Sequence, residues 1–343
     1  MIGLLVMAAI WGTGRYMRLP RGLVWVILGL WWLAVVFVHS PLVVAGNPVA
    51  VMLGGTFQAW VLLGIVAGLV AGYGRVLGRV RARKVEPVPV MATFSEAERD
   101  RYARHIMLRE IGGPGQKRLK TAKVLVIGAG GLGSPALLYL AASGVGVIGV
   151  IDDDVVDASN LQRQIIHADQ RIGMGKVASA EIAMMALNPF IEVRPYTRRL
   201  TEEIAVDLIA DYDLVLDGSD NFDTRYLANR VCAGLGKPLI AGAITQWEGQ
   251  LAVWHPAKGG PCYECVFPVR PAPGMVPSCA EAGVASPLPG IVGAMMAMEA
   301  VKLIVDAGDI LRGRLMIYDA LYADARVIGV KPRADCAVCG GRG

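Results

Sequence analysis

A strand, a glycine turn and a helix follow one another without a break in "VLVIGAGGLGSPALLYL", residues 124–140. No other stretch restricts the fold as much. An apolar β-like run enters Gly128-Ala-Gly-Gly-Leu-Gly133 and leaves as a helix, so the turn sits between a strand and a helix N-terminus. Glycines there let the backbone pass close to a phosphate, and the helix start offers unpaired N–H groups and a favourable dipole. The turn therefore predicts a bound nucleotide. By itself it does not separate a dinucleotide used for hydride transfer from ATP.

After the glycine-rich "IGGPGQ" the chain alternates strand-like and helical segments. Strands are expected at 122–127, 146–151, 191–196, 213–217 and 238–243, and helices at 134–143, 175–187, 202–210 and 222–235. That alternation predicts an α/β fold, a Rossmann-like doubly wound, mainly parallel sheet with helices on both faces. "TQWEGQLAVWHP" adds an antiparallel portion on the C-terminal side. Ser95-Glu-Ala-Glu98 fits a capping box, so a helix should start there and run to about Arg109. Ile291–Val305 is apolar enough to suggest a membrane span, but Glu299 and Lys302 lie inside it and it is short for one. A core or subunit-interface helix is the better expectation, and its methionines need no cofactor.

Mean hydropathy is high, at +0.48, and the excess is not spread evenly. From Gly22 to Gly74 there is no Asp, Glu, Lys or Arg. That is room for two membrane-spanning helices of ~20 residues each, expected at about 23–44 and 51–73 around a turn at Ala45-Gly-Asn-Pro48. A soluble apolar hairpin is the alternative, against which stands the lack of any polar mark of a solvent face. Met1–Trp11 is too short to span alone; a signal-peptide core and a third membrane element both stay open for it. Arg15, Arg18 and Arg21 precede the first span, and Arg75, Arg79, Arg81, Arg83 and Lys84 follow the second. The positive-inside rule then puts both ends in the cytoplasm, as a multi-pass protein of the cytoplasmic (inner) membrane with its catalytic domain in the cytoplasm.

The same charges dispose of a nucleic-acid partner. Residues 1–84 hold eight of the 34 Lys and Arg and none of the 29 Asp and Glu, leaving 26 basic against 29 acidic residues in the rest. The basic stripe suits anionic lipid headgroups instead. Prolines in "VEPVPVMAT", residues 85–93, mark a linker. The expected organisation is a membrane region at 1–78, a basic and proline-containing linker at 79–93, and a catalytic domain at 94–343.

Asp152, in "IDDD", stands about twenty residues beyond the glycines, where a dinucleotide fold keeps its ribose-binding carboxylate. It serves either nucleotide. "SNLQRQ" (159–164), "GMGK" ending at Lys176 and "DLVLDGSDN" (213–221) then bring Arg163, Lys176, Asp220 and the adjacent Asn221 to the same sheet edge. Hydride transfer has little use for two extra cations and a spare carboxylate; a triphosphate with a metal ion needs all of them. Arg163 offers a planar fork of donors to a phosphoryl group, Lys176 a point charge to the leaving pyrophosphate, and Asp220 a carboxylate to Mg²⁺.

"GAGGLGS", "DDDVVDASNLQRQ", "GMGK", "LVLDGSDN", "CYEC", "SCAEAGV" and "CAVC" occur in an order and at a spacing that resemble the ThiF/MoeB/HesA family, relatives of the ubiquitin-activating enzymes. The likeness covers about residues 95–341 and is strongest to the molybdopterin-synthase adenylyltransferase branch; the first 90 residues have no counterpart. It implies ATP-dependent adenylation of the C-terminal Gly-Gly carboxylate of a ubiquitin-like sulfur carrier protein, for molybdopterin or thiamine biosynthesis. It further implies that Gly131 approaches the phosphates, Asp152 holds the ribose, and Asn160 and Arg163 contact phosphates. Lys176 then faces the pyrophosphate, and Asp220 the metal. Arg104, in "RYARHIMLREIG", matches an arginine that family homodimers insert into the partner's site, which implies a homodimer. The plain alternative for these charged residues is a solvated helix face or a surface ion pair.

Cys262-Tyr-Glu-Cys265 and Cys336-Ala-Val-Cys339 fit a structural Cys₄ zinc site, each pair biting one edge of a tetrahedron. Two unrelated reduced pairs, or a redox dithiol, are the other readings. Some relatives use a cysteine at the position of Cys279 for a covalent link with the activated carrier, and others keep it without needing it; here Glu281 opposes a thiolate. Cys232 sits in an apolar helical segment and is expected in the core. No rhodanese-like domain follows Cys339, so a separate sulfur donor is expected. Two other classes remain: a non-catalytic membrane-tethered scaffold for a ubiquitin-like partner, and a dinucleotide-dependent oxidoreductase.

Overall fold

The computed structural model describes residues 2–17, 19–43, 47–82, 94–272, 275 and 279–340. The chain divides into two compact units, Met1–Val88 and Pro89–Gly343. Most of the expected linker, 83–93, lies outside the described residues.

The first unit is helical: α1 (Ile2–Tyr16), α2 (Arg21–Val38), α3 (Pro48–Leu53) and α4 (Phe57–Ala82). Residues 2–16, for which the sequence leaves both a signal-peptide core and a third membrane element open, form a helix of their own. The expected hairpin differs in two ways. The stretch expected as one span at 23–44 is helical only to Val38. The stretch expected at 51–73 is broken where Gly54 and Gly55 take φ of 75° and 93°, a region glycine enters without a Cβ penalty. Asn47 starts the short α3 by accepting the Val49 N–H at 2.9 Å, with Pro48 in the first turn. Tryptophans hold the unit together. Trp32 lies against Gly64, where a Cβ would come within 2.1 Å of its ring. Its indole N–H donates to the Trp60 carbonyl at 2.8 Å, and that of Trp60 donates to the Gly54 carbonyl at 2.9 Å. Both indoles thus satisfy their one polar atom inside an apolar interior. Val35, Leu53 and Trp60 are buried, whereas Leu30, Phe37, Leu62, Leu69 and Val70 are more than half exposed.

The second unit is α/β. Its strands are β1 (Lys123–Ile127), β2 (Val147–Ile151), β3 (Glu192–Tyr196), β4 (Leu214–Asp217), β5 (Leu239–Ile244), β6 (Glu248–Trp254), β7 (Arg314–Asp319) and β8 (Asp324–Gly329). They form one sheet in the order β3-β2-β1-β4-β5-β6-β7-β8. The five from β3 to β5 are mutually parallel, and β6, β7 and β8 are added antiparallel. Val124, Leu125 and Val126 of the central β1 are fully buried, as a parallel strand covered on both faces must be.

The helices are α5 (Glu96–Ile106), α6 (Gly112–Thr121), α7 (Gly133–Ser143), α8 (Lys176–Leu187), α9 (Glu202–Ala210), α10 (Phe222–Leu235), α11 (Tyr263–Val266), α12 (Cys279–Ala282) and α13 (Pro287–Val305). Leu137 and Leu140 of α7, Val177 and Met184 of α8, and Val292 and Met296 of α13 share one core. Ile209 of α9 and Leu227, Ala228 and Cys232 of α10 belong to the other. The chain winds outward through β2 and β3, then crosses back to β4 and β5, so the C-terminal ends of β1 and β4 flank the switch point.

The capping box forms as expected: Ser95 Oγ accepts from the Glu98 N–H, and Glu98 Oε2 from the Ser95 N–H at 2.8 Å. The helix stops at Ile106 rather than Arg109. The glycine-rich "GGPGQKRLKT" is itself a helix, α6, anchored by buried Gln116 and Leu119. Among the described helices only Pro287–Val305 is long and apolar enough to cross a membrane; the apolar stretches Gly22–Val38 and Phe57–Tyr73 are shorter. That one helix, α13, is a core element: it packs on α7, β5 and β6, and Glu299 accepts the Leu311 N–H at 2.7 Å.

Candidate active site

The glycine turn closes tightly between β1 and α7. Gly128 has φ +92° and donates to the Ile151 carbonyl at 2.9 Å. A Cβ on Gly133 would stand 1.9 Å from the Gly128 carbonyl oxygen, so helix and turn touch backbone to backbone. The Gly218 N–H donates to Ile127 O at 3.0 Å and ties the tip of β4 to the end of β1. Gly131 lies on the side covered by α13, where a Cβ would come within 3.0 Å of Pro289.

Asp152 follows β2 directly. Its Oδ2 accepts the Ala129 N–H at 2.7 Å and its Oδ1 the Asp154 N–H at 2.9 Å. Burial raises its pKa above the ordinary carboxylate value, while these two N–H groups oppose the rise. His167 lies under the same turn, with Nε2 2.9 Å from the Ala129 carbonyl and Nδ1 2.9 Å from Ser179 Oγ.

The charged residues read from the sequence gather at this edge. Arg163 Nη2 donates to Asn160 Oδ1 at 2.8 Å, which fixes the guanidinium beside the turn. Lys176 opens α8; it is buried, and its Nζ pairs with Asp154 Oδ2 at 2.7 Å, leaving other ammonium donors available. Asp220 is exposed just past β4 and has no hydrogen-bond or ion-pair partner among the described residues. Asn221 is the N-cap of α10 and spends its Oδ1 on the Thr224 N–H at 2.9 Å. That is the preferred use of asparagine before a helix, and it aims the segment carrying Asp220.

Two features of this edge were not legible in the sequence. Asp217, the last residue of β4, is fully buried; its Oδ1 accepts from Ser219 N and Oγ at 2.9 and 2.6 Å. Its Oδ2 has no hydrogen-bond partner, and the nearest cation is Arg225 Nε, 3.8 Å away. Arg225 is also buried and donates to the Ser219 and Gly242 carbonyls at 3.0 and 2.9 Å. In "FDTRYLANR" Arg225 looks like a solvated helix charge, and only its spacing of four from Asn221 hinted at a shared face. His167 gave no signal beyond its closeness to "QRQ".

Four cysteines meet at a second centre. The sulfurs of Cys262 and Cys265 are 3.9 Å apart, those of Cys262 and Cys336 3.6 Å, and those of Cys265 and Cys339 3.3 Å. A disulfide needs about 2.05 Å, whereas four thiolates at ~2.3 Å from one zinc lie about 3.8 Å apart. The donor set and its spacing fit a closed zinc site. This knuckle is fastened to α10. Asn229 accepts the Tyr263 N–H at 2.8 Å, Tyr226 donates to the Phe267 carbonyl at 2.8 Å, and Arg225 lies over the Tyr263 ring at 5.8 Å. Cys232 is in the core, where burial pushes its thiol pKa up. Arg104 is exposed on α5 and is not joined to the site by any contact among the described residues, and Cys279 is the first residue of the short α12.

A doubly wound sheet that presents a glycine turn, a ribose-type carboxylate and two cations at its switch point defines a nucleotide-binding protein of the Rossmann type. The chain belongs to the ThiF family, whose model matches residues 102–338. It is 49% identical over 251 residues to the sulfur carrier protein adenylyltransferase of Thermus thermophilus, covering 72% of this chain and 93% of that protein. It is also 49% identical over 241 residues to the SAMP-activating enzyme E1 of Haloferax volcanii, covering 70% and 88%. The crystal structure of E. coli MccB with ATP shares the fold, with a TM-score of 0.61 at 22% identity over 70% of this chain and 75% of that one.

Replacing Arg225 by methionine leaves the Asp217 carboxylate buried beside no cation. The expected cost is about 3–5 kcal/mol of folding stability, read from denaturant unfolding of the full chain. An unchanged unfolding midpoint would mean that Arg225 does not stabilise that carboxylate.

Proposed function

We propose that the chain adenylates the C-terminal Gly-Gly carboxylate of a ubiquitin-like sulfur carrier protein with ATP. The observation that carries this reading is the gathering of Arg163, Lys176 and Asp220 with the Gly128–Gly133 turn and Asp152 at one sheet edge. Family membership and the names of the 49% identical relatives support it. In this reaction a carboxylate oxygen attacks the α-phosphorus, the bond to the β-phosphate bridging oxygen breaks, and pyrophosphate leaves. The turn and the start of α7 turn N–H groups toward the phosphates, while the Asp152 carboxylate, already oriented by Ala129, receives ribose hydroxyls. Arg163, braced by Asn160, meets the charge that grows on the α-phosphoryl oxygens. Lys176 neutralises the departing pyrophosphate.

An exposed carboxylate with no protein partner suits Mg²⁺, which keeps water and phosphate oxygens as its other ligands; Asp220 is that carboxylate. The ion would neutralise phosphate charge. Arg104, exposed on α5, fits an arginine supplied in trans by a second copy of the chain. The carrier's pathway, molybdopterin or thiamine, and a separate sulfur donor belong to the same proposal. Cys279 opens a helix beyond the segment that follows the knuckle, a position suited to a covalent step after adenylation.

ATP–pyrophosphate exchange by the full chain should require a carrier ending in Gly-Gly. Asp220→Ala should lower it at least about a hundredfold. No exchange with any such carrier, by folded protein that binds ATP, would favour a scaffold.

The Cys₄ centre is proposed to hold zinc and to staple the C-terminal segment to the domain. Metal analysis should give about one zinc per chain, and Cys336→Ser should lose it and unfold at lower temperature. Full occupancy by Cys336→Ser would exclude that ligand.

We infer further that the first unit embeds in the cytoplasmic membrane with the α/β unit on the cytoplasmic side. Many of its large apolar side chains are exposed, and the charges at 15–21 and 75–84 that flank its uncharged run are all basic. The full chain should stay with membranes through high-salt and alkaline washes and be released by detergent. Release by salt alone would overturn embedding.

A further inference from the structure

Ala129, at the heart of the glycine turn, is held through both of the peptide groups that flank its Cα. Its N–H donates to Asp152 Oδ2 at 2.7 Å, and its carbonyl lies 2.9 Å from His167 Nε2. A carbonyl only accepts, so Nε2 carries the proton, and in the neutral ring Nδ1 accepts from the Ser179 hydroxyl at 2.9 Å. Ser179 lies on α8, three residues beyond Lys176, and is completely buried. Arg171 braces this helix from the other side, donating to the Ser179 carbonyl and to the Ile166 carbonyl at 3.1 Å. His167 itself is 7% exposed, so no water can replace either bond without opening the core.

We propose that His167 is a positioning residue for the nucleotide site: its Nε2–H fixes the Ala129 carbonyl and its Nδ1 ties that turn to the helix carrying Lys176. With the 128–129 peptide fixed by Asp152 and the 129–130 peptide by His167, the Gly130 N–H that shares the second plane, and the turn that follows it, are held in one direction. The phosphate-facing turn and the buried lysine are thereby set in register before any ligand arrives. Two cations act on the ring, Lys176 from α8 and Arg171 from the 3₁₀ turn before it, while Asp152 holds the N–H of the same Ala129. Burial, with the two cations, holds the His167 pKa below its ordinary value, so the neutral ring that this arrangement needs is the favoured one. The assignment rests on the adenylating reading of the site, but the binding arm of its test does not need the carrier.

ATP alone, titrated calorimetrically into the full chain, is the probe. His167→Phe keeps a ring in place and removes both bonds, while His167→Gln presents an amide N–H near the position of Nε2. The phenylalanine variant should bind ATP about tenfold or more weakly, since a buried carbonyl loses its donor; glutamine should recover to within about threefold of wild type. In exchange assays the KM for ATP should rise in His167→Phe by more than kcat falls. If that variant does not fold, His167→Gln and Ser179→Ala decide, the latter by a two- to fivefold weakening of ATP binding, about what one neutral hydrogen bond gives. Wild-type affinity in His167→Phe, glutamine as weak as phenylalanine, a pure kcat effect, or no effect of Ser179→Ala would overturn the assignment. Wild-type protein that binds no ATP would overturn the adenylating reading, and the assignment with it.

Discussion

The contact between the Gly128 carbonyl and the backbone of Gly133 sets how closely α7 can follow β1. A side chain at residue 133 would need the space that the carbonyl oxygen already fills. Because the two backbones touch, the strand passes into the helix within one short turn, and the first N–H groups of α7 come to lie at the sheet edge. The neighbouring elements are hung on that edge: β2 through the bond from Gly128 to Ile151, and β4 through the bond from Gly218 to Ile127. Asp152 directly follows β2, and Asp220 comes three residues after the end of β4, so both fall beside the turn.

The charges at the edge differ in how firmly they are held. Lys176 and Asp217 are buried and given partners by the protein itself, at the cost of desolvation that a good hydrogen-bond set must offset. Arg163 is steered by one neutral amide and keeps most of its fork open. Asp220 has nothing to hold it. The site thus grades from a rigid floor to an open rim, which suits a reaction in which a second protein's tail must enter from outside.

Much of this was legible in the sequence, for identifiable reasons. The inner parallel strands β2, β1, β4 and β5 announce themselves because they are largely buried, so small and apolar residues dominate them, and the boundaries of α9 and α10 follow from the periodicity of their buried sides. The edge residues were found because strand ends are easy to place once the alternation is seen. What stayed hidden was pairing across the fold. Arg225 and Asp217 are eight positions apart on a helix and a strand, and nothing local tells a buried ion pair from a solvated one. His167 is the same case. α6 was obscured by its three glycines, whose poor helix propensity is overridden by the burial of Gln116 and Leu119. In the first unit the apolar run located the helices but not the break at Gly54 and Gly55, since glycines are common inside apolar helices as well.

Helix α10 has a further consequence. Asn221, Arg225, Asn229 and Cys232 succeed one another at steps of four, four and three along one side of it. The first caps the helix below the catalytic rim, the second clamps the end of β4, the third grips the cysteine knuckle, and the fourth fills the core. One element is therefore an axle shared by two centres far apart in the sequence. Adding or deleting a single residue within it would turn everything beyond that point by about 100° and detach one centre or the other. The length of α10 is therefore fixed by the two centres that it serves.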